Sequence, residues 1–537
     1  MTAITNDGAV LRITLTLIYN PQFKREPGGL VSSRFHLLVV VLILSVAAVA
    51  QVPTAAQRTA QRLESVRHQP LLLHAFLRDM PKGGDLHNHL VGAVYAESFI
   101  LYAAEDGLCV ERRTLALDPP PCDPNTRPPA SSALEDPVLY RRMVDAFSMR
   151  DFHPGGESAH DHFFDSFGKF LPATQAHMGD LLAEVVSRAA AQNEQYVELM
   201  VEVLGPVIDL SKKLIWSEHF DHDREALVAG GLNDAVAAAS RTLDQAESQM
   251  RTRLRCGTAA ADPGCRVTVR YISTVLRAFP PEQVFAQALG GFELASRDPR
   301  VVSVDPVQPE DGYVPRHDFS LHMRMFAYMH ERYPKVRISM HAGELVPGQV
   351  PPEDLRFHIR DSIEIAHAER IGHGADVAYE SDPFTLLREM AERKVMVEIC
   401  LTSEDVILGL RGGSHPLPVY LKYGVPVALA TDDEGVSRSD MTREYQKAVE
   451  DFGLSYTDLK TMARTSLEHA FLPGGSLWAG TAPFKLAAPC ASDVPGASRI
   501  SSACRSLLQS SERAKVQWGL EEAYEKFEKN ALKDLKN

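Results

Sequence analysis

Eight short β-rich runs recur along this chain, and each is followed by a helical stretch. They are read as strands over Asp85–Leu90, Tyr196–Val203, Val267–Ser273, Val301–Val307, Val336–His341, Arg370–His373, Met396–Leu401 and Pro426–Thr431. Strands alternating with helices build a parallel α/β sheet, and eight is the number that closes a (β/α)8 barrel of the TIM type. An open doubly wound sheet is the alternative, but the chain has neither a GxGxxG fingerprint nor a P-loop to support it. A length of 537 residues, 45% of them hydrophobic, suits one barrel with insertions.

The expected organisation follows from composition shifts. Residues 1–50 read as a leader and signal peptide, 51–79 as a helical lead-in, and 80–473 as the barrel. More than a hundred residues separate the first two strands, so a large insertion, about 102–185, is expected on the active face after strand one. It holds the proline-rich Pro119–Pro129 and a helical stretch around Asp136–Phe147. Residues 474–537 read as a linker followed by an amphipathic helix, Arg513–Leu535, that packs on the barrel exterior.

Lys+Arg 56 against Asp+Glu 70 leaves a formal charge of −14, which argues against nucleic acid as a partner. No apolar run reaches the roughly 18 residues a membrane-spanning helix needs. The strongest run, Leu37–Ala50, follows Arg34 and ends in Ala48-Val49-Ala50 before Gln51. That is the pattern of a cleaved secretory signal, with a natural start nearer Val31, and it implies no membrane contact after cleavage. Six of the seven cysteines form three neighbouring pairs: Cys109 with Cys122, Cys256 with Cys265, and Cys490 with Cys504. Each pair brackets a loop-like segment, as disulfides do in an oxidising compartment, so a secreted or periplasmic location is expected. Cys400, in the apolar run Val395–Leu401, is read as a reduced, buried strand residue.

Chemistry concentrates at the ends of the expected strands. His87 and His89 in Asp85-Leu86-His87-Asn88-His89 are two apart, so on a strand they project from one face and can share a divalent metal. His160-Asp161-His162 has the same spacing in a polar stretch and is read as surface or pocket wall. His341-Ala342-Gly343-Glu344 follows strand five, Gly372-His373-Gly374 ends strand six, and Thr431-Asp432-Asp433 ends strand eight. In a parallel barrel all these ends open on one face, where active sites sit. His87, His89, His341 and Asp432 would then form an N3O set suited to one zinc ion per chain. Glu344 and His373 would stay nearby as acid–base groups.

Taken together, MPKGGDLHNHLVG, SMHAGE, RIGHGA, VEICLTS and ATDDEGVSRSD resemble the ordered motifs of the adenosine deaminase family, within the amidohydrolase superfamily of metal-dependent barrels. The large early insertion, the signal segment and DDEGVSRSDMTREY resemble its secreted, growth-factor-related branch. The resemblance covers about Met80 to Pro473. It implies His87, His89, His341 and Asp432 as zinc ligands and Glu344 as the proton donor to purine N1. It implies His373 as the group that orients and deprotonates the attacking water, and Asp433 as the contact to N7. The activity implied is hydrolytic deamination of adenosine, or a close 6-aminopurine nucleoside, to inosine and ammonia. The partner implied is a small-molecule purine nucleoside; a second copy of the chain, as a homodimer, is a further candidate.

Three positions depart from that pattern. Val91 stands where intracellular members carry an acidic residue that binds the ribose 5′-hydroxyl. Gln308 occupies a place usually taken by glycine near the base, and Glu404 replaces the asparagine expected after Thr402-Ser403. Val91 and Gln308 are thus candidate substrate-binding positions, and they keep open an alternative aminopurine such as adenine or a modified adenosine. A secreted binding or signalling protein with a vestigial site is the alternative of another class; no ligand is missing to favour it. HExxH, GxSxG and the zinc cytidine-deaminase signature are absent. His358 and His367 are read as structural, and Phe163, Phe164 and Phe167 as candidate walls of a purine pocket.

Overall fold

The computed structural model describes residues 2–4, 10–12 and 53–530. The expected signal segment Leu37–Ala50 and its cleavage point lie outside the described residues. The chain divides into two compact units, Met1–Thr54 and Ala55–Asn537. In the first, Thr2–Ile4 pairs antiparallel with Val10–Arg12.

The second unit opens with helices Ala55–Val66 and Pro70–Asp79 and then builds an eight-stranded parallel barrel. Its strands are β1 (Gly83–His89), β2 (Glu194–Val201), β3 (Thr268–Leu276), β4 (Val301–Val307), β5 (Arg337–Ala342), β6 (Arg370–His373), β7 (Met396–Ile399) and β8 (Val427–Leu429). Each pairs with the next in chain order. The ring closes where Asn88 bridges Asp432 in parallel. There the His89 N–H donates to the Asp432 carbonyl at 3.1 Å, and the Asp432 N–H donates to the His87 carbonyl at 2.9 Å. Closure leaves no sheet edge exposed and brings β1 and β8 side by side.

The strands match the sequence expectation in number, order and direction, with shifted ends. β3 runs on to Leu276, beyond the expected Ser273. β7 stops at Ile399 because Leu401–Leu408 is helical, so Leu401 leaves the strand expected to include it.

The barrel interior carries charge. Arg370 on β6 donates to Glu198 on β2 at 2.6 Å and lies 2.7 Å from Glu398 on β7, all three wholly buried. The first pair crosses the barrel, and Glu398 reaches Arg370 from the adjacent strand. Each buried charge has an opposite partner, which is the condition for tolerating it there.

Between β1 and β2 lie the helices Ala96–Glu105, Pro137–Ala146, Ala159–Phe170 and Met178–Ala191, with a small ribbon, Cys109–Val110 against Leu117–Asp118. Asp136 caps the second helix by accepting from the N–H groups of Val138 and Leu139, and Ser158 caps the third through the Asp161 N–H. Disulfides join Cys109–Cys122, Cys256–Cys265 and Cys490–Cys504, as expected; Cys400 is a buried free thiol as expected, but it caps the helix Leu401–Leu408 and is not a strand residue.

After the barrel, Trp478–Thr481 pairs with Phe484–Leu486, and helices Ser502–Ser510 and Glu512–Asn530 follow. Leu477, Trp478, Cys490, Cys504, Ala514 and Trp518 form a small core of their own. The last helix docks on the outer helix Tyr456–His469: Arg464 grips Glu521 through two 2.7 Å bonds, and Tyr456 donates to Glu528 at 2.8 Å. No helix among the described residues is long and apolar enough to cross a membrane.

Candidate active site

The C-terminal ends of β1, β5, β6 and β8 bring together the histidines and aspartates singled out from the sequence. One ligand atom from each of His87, His341, His373 and Asp432 lies within 4.8 Å of the others. His89 joins them, its Nε2 3.1 Å from His341 Nε2 and 3.3 Å from the Asp432 carboxylate. His87 and His89 do project from one face, with ring centroids 5.5 Å apart.

Two histidines are held in a defined orientation by buried carboxylates. His87 Nδ1 lies 2.7 Å from Glu398 Oε2, and His341 Nδ1 lies 2.7 Å from Asp305 Oδ1. With both Nδ1 atoms donating to carboxylates, the lone pairs sit on the Nε2 atoms, which face the cluster. His87 Nε2 is buried without a hydrogen-bond partner. Burial lowers the pKa of His89 to about 4 and that of His341 well below the usual histidine value. Two neutral imidazole nitrogens, a third orphaned nitrogen and a carboxylate aimed at one point form a donor set that fits a divalent cation.

Backbone strain marks the same place. His373 has φ +66° and Asp432 φ +58°, in the left-handed region where residues with a Cβ are uncommon. Asp85 accepts from Asn88 Nδ2 at 3.2 Å and from Thr431 Oγ1 at 2.5 Å, and so ties the ends of β1 and β8 together.

Glu344, just past β5, lies 3.7 Å from His373 Nε2. Burial raises its pKa to about 7. Its loop is held by Glu310, which accepts from the Glu344 N–H at 2.8 Å, the Gly343 N–H at 3.2 Å and His358 Nδ1 at 2.6 Å. His358 stacks on Phe319 at 3.8 Å between centroids, which is the structural role expected for it. Asp433 is buried with Oδ1 unpartnered. Burial, and then the adjacent Asp432 charge, push its pKa up.

The two substrate-binding candidates are placed differently from these. Val91 is half-buried in the short helix Leu90–Ala93 and packs against the main core. Gln308 has φ +90°, a conformation natural to the glycine implied by resemblance, and its Oε1 accepts from the Ala278 N–H at 2.9 Å. Its side-chain oxygen is thereby tied to the loop after β3.

His160 and His162 lie on the helix Ala159–Phe170, where residues two apart diverge. His162 Nε2 bonds the Asp145 and Ser148 carbonyls. His160 reaches Asp311, beyond β4, at 3.3 Å. Phe163 is fully buried in the core, whereas Phe164 meets the His160 ring edge-on at 4.9 Å.

Glu398, Asp305 and Glu310 were not singled out from the sequence. The available signal was a carboxylate inside an apolar strand, as in Met396–Ile399 and Val301–Val307, because a buried charge there needs a partner.

The sequence pattern of a family described as adenosine deaminase matches residues 159–476. An aminodeoxyfutalosine deaminase from Streptomyces coelicolor is 26% identical over 75% of this chain and 83% of its own length. An adenosine deaminase from Vibrio atlanticus is 33% identical over 25% of this chain, and the match spans 38% of that relative. An adenine deaminase from Chelativorans is 31% identical over 40% of this chain and 61% of its own length. Among solved structures, an adenine deaminase from Arthrobacter aurescens aligns over 73% of this chain and 94% of its own, with 18% identity and a TM-score of 0.48.

Proposed function

The chain belongs to the adenosine deaminase family, and on that premise we propose that it hydrolyses adenosine, or a close 6-aminopurine nucleoside, to inosine and ammonia with zinc as cofactor. The observation that carries this reading is the convergence of His87, His89, His341 and Asp432 beside the acid–base groups Glu344 and His373.

The four groups His87, His89, His341 and Asp432 would hold the ion. A zinc ion there supplies Lewis acidity that makes water nucleophilic near neutral pH. His373 accepts the proton that water loses, through the nitrogen facing Glu344. Oxygen adds to C6 of the purine, and Glu344, whose pKa of about 7 keeps it partly protonated at neutrality, delivers a proton to N1. Asp433, with its unpartnered Oδ1 and raised pKa, donates a hydrogen bond to N7. As the C6–N bond breaks, the amine takes the proton held by His373, the C6 hydroxyl proton passes to Glu344 as the C6 carbonyl forms, and ammonia leaves.

Three disulfides in surface segments support an exported enzyme. Val91 favours a second reading, because it offers no carboxylate to a ribose hydroxyl: the substrate is then adenine or a modified adenosine. Purified protein compared on nucleosides, bases and nucleotides by kcat/KM separates the two. Adenosine is expected to lose absorbance as inosine forms. Absence of ammonia release from every 6-aminopurine, with metal shown to be bound, overturns the proposal.

A further inference from the structure

Glu404 and His415 form a buried pair behind His373. Glu404 is wholly buried on the first turn of the helix Leu401–Leu408. Its Oε1 lies 3.1 Å from the Cys400 backbone nitrogen and 3.3 Å from His373 Nδ1. Its Oε2 is hydrogen-bonded to His415 Nε2. On the far side of that ring, the Leu417 N–H donates to His415 Nδ1 at 3.0 Å. A backbone N–H can only donate, so His415 Nδ1 is an acceptor and the proton of neutral His415 sits on Nε2. Three N–H groups therefore converge on one side chain at residue 404.

A carboxylate can accept all three, while an amide cannot. A glutamine could turn its oxygen towards Cys400 and His373, but its NH2 would then face the His415 N–H, donor against donor. Turned the other way, the amide would press its NH2 on His373 and favour the opposite tautomer. An acidic side chain at position 404 thus matches the donors that meet it.

Resting on the reading of His373 as the base, we propose that Glu404 and His415 are positioning residues that lock His373 as its Nδ1–H tautomer, so that Nε2 presents its lone pair to the attacking water.

Glu404→Gln and the double variant Glu404→Gln/His415→Gln test this in the metal-loaded protein. In the double variant the NH2 introduced at position 404 can donate to the amide oxygen introduced at position 415. That frees the amide oxygen at position 404 to accept from His373 again. The single variant is expected to lose about 10²-fold in kcat, with KM changed less than about twofold and metal content unchanged, because a wrong tautomer removes the base without touching binding. The double variant should recover at least about tenfold of that loss. Nitrogen-15 NMR, with His373 identified by its loss in His373→Gln, should show Nδ1–H in the parent and double variant and a shift towards Nε2–H in the single variant. This readout needs no turnover, so it stands even where the deaminase proposal fails on every substrate. Unchanged kcat in Glu404→Gln, a loss that only follows falling metal content or melting temperature, or an unchanged His373 tautomer would each overturn the inference.

Discussion

Glu344 and His341 share one strand end but have different proposed roles, and substitution separates them. Glu344→Gln keeps the buried volume and removes only the exchangeable proton, so it should retain metal and lose about 10²–10⁴-fold in kcat. His341→Ala removes a ligand nitrogen and should lose both metal and activity, as metal analysis beside steady-state kinetics would show. A third prediction concerns Glu310. Burial opposes its charge, but Arg277 and the bonds from His358 and the Glu344 N–H outweigh it and hold the pKa at about 2. A carboxylate whose folded pKa is depressed gives stability that is complete above its unfolded value, about 4.3, and lost as pH falls towards about 2. Glu310→Gln should therefore weaken the protein at neutral pH and flatten the acid limb of a melting-temperature profile between about pH 5 and 2. The residues of the candidate site were legible because they fall at strand ends in a fixed order. Their supports were not: Asp305, Glu398 and Glu310 serve partners 36, 311 and 34 positions away in sequence. Pairing of β4 with β5 joins the first and last of these, and only the closed barrel brings Glu398 to His87.

Elements were legible where period and caps agreed, and less so where tertiary contacts decide. The eight strands stand out because parallel strands buried on both faces read as short apolar runs. The HxH at His160–His162 shows the limit of spacing alone: Ser158 caps a helix there, so the pair that would share a face on a strand is splayed apart. Close approach of elements was also invisible. The short helices Leu90–Ala93 and Glu434–Ser437 pack so tightly that a Cβ on Gly92 would lie 1.6 Å from Asp433 Oδ1. Alanine at 92 must push the Asp433 side chain out of its buried place. Gly92→Ala is expected to cost about 1–3 kcal/mol of stability by overpacking. It should also lower kcat/KM more than about tenfold with metal content unchanged, since Asp433 is displaced while His87 and His89 keep their strand. Calorimetry, metal analysis and kinetics on one preparation would check all three parts.

At the scale of the whole molecule, covalent links and metal act on different parts. Each disulfide closes a short local loop, of 13, 9 or 14 residues in separation, and none joins one barrel strand to another. In the chain-entropy account such loops contribute roughly 3 kcal/mol each, less where strained. They brace the β1–β2 connection, the segment before β3 and the C-terminal extension, and leave barrel closure to β1 and β8. The proposed metal site lies at that closure, because His87 and His89 sit on β1 and Asp432 lies just past β8, bridged to Asn88. Anything that binds only the folded state stabilises it by RT ln(1 + [L]/Kd), about 4 kcal/mol at a thousandfold excess over Kd. Reductant without chelator should therefore expose seven thiols on denaturation while leaving the native barrel folded and active. Chelator without reductant should abolish activity, lower the melting temperature by several degrees, and leave one alkylatable thiol, Cys400, in the denatured chain. Thiol counting by mass spectrometry on both samples reads the bridges, and melting curves read the barrel. A chelated protein that melts unchanged would mean that β1 and β8 are held together without help from a bound cation.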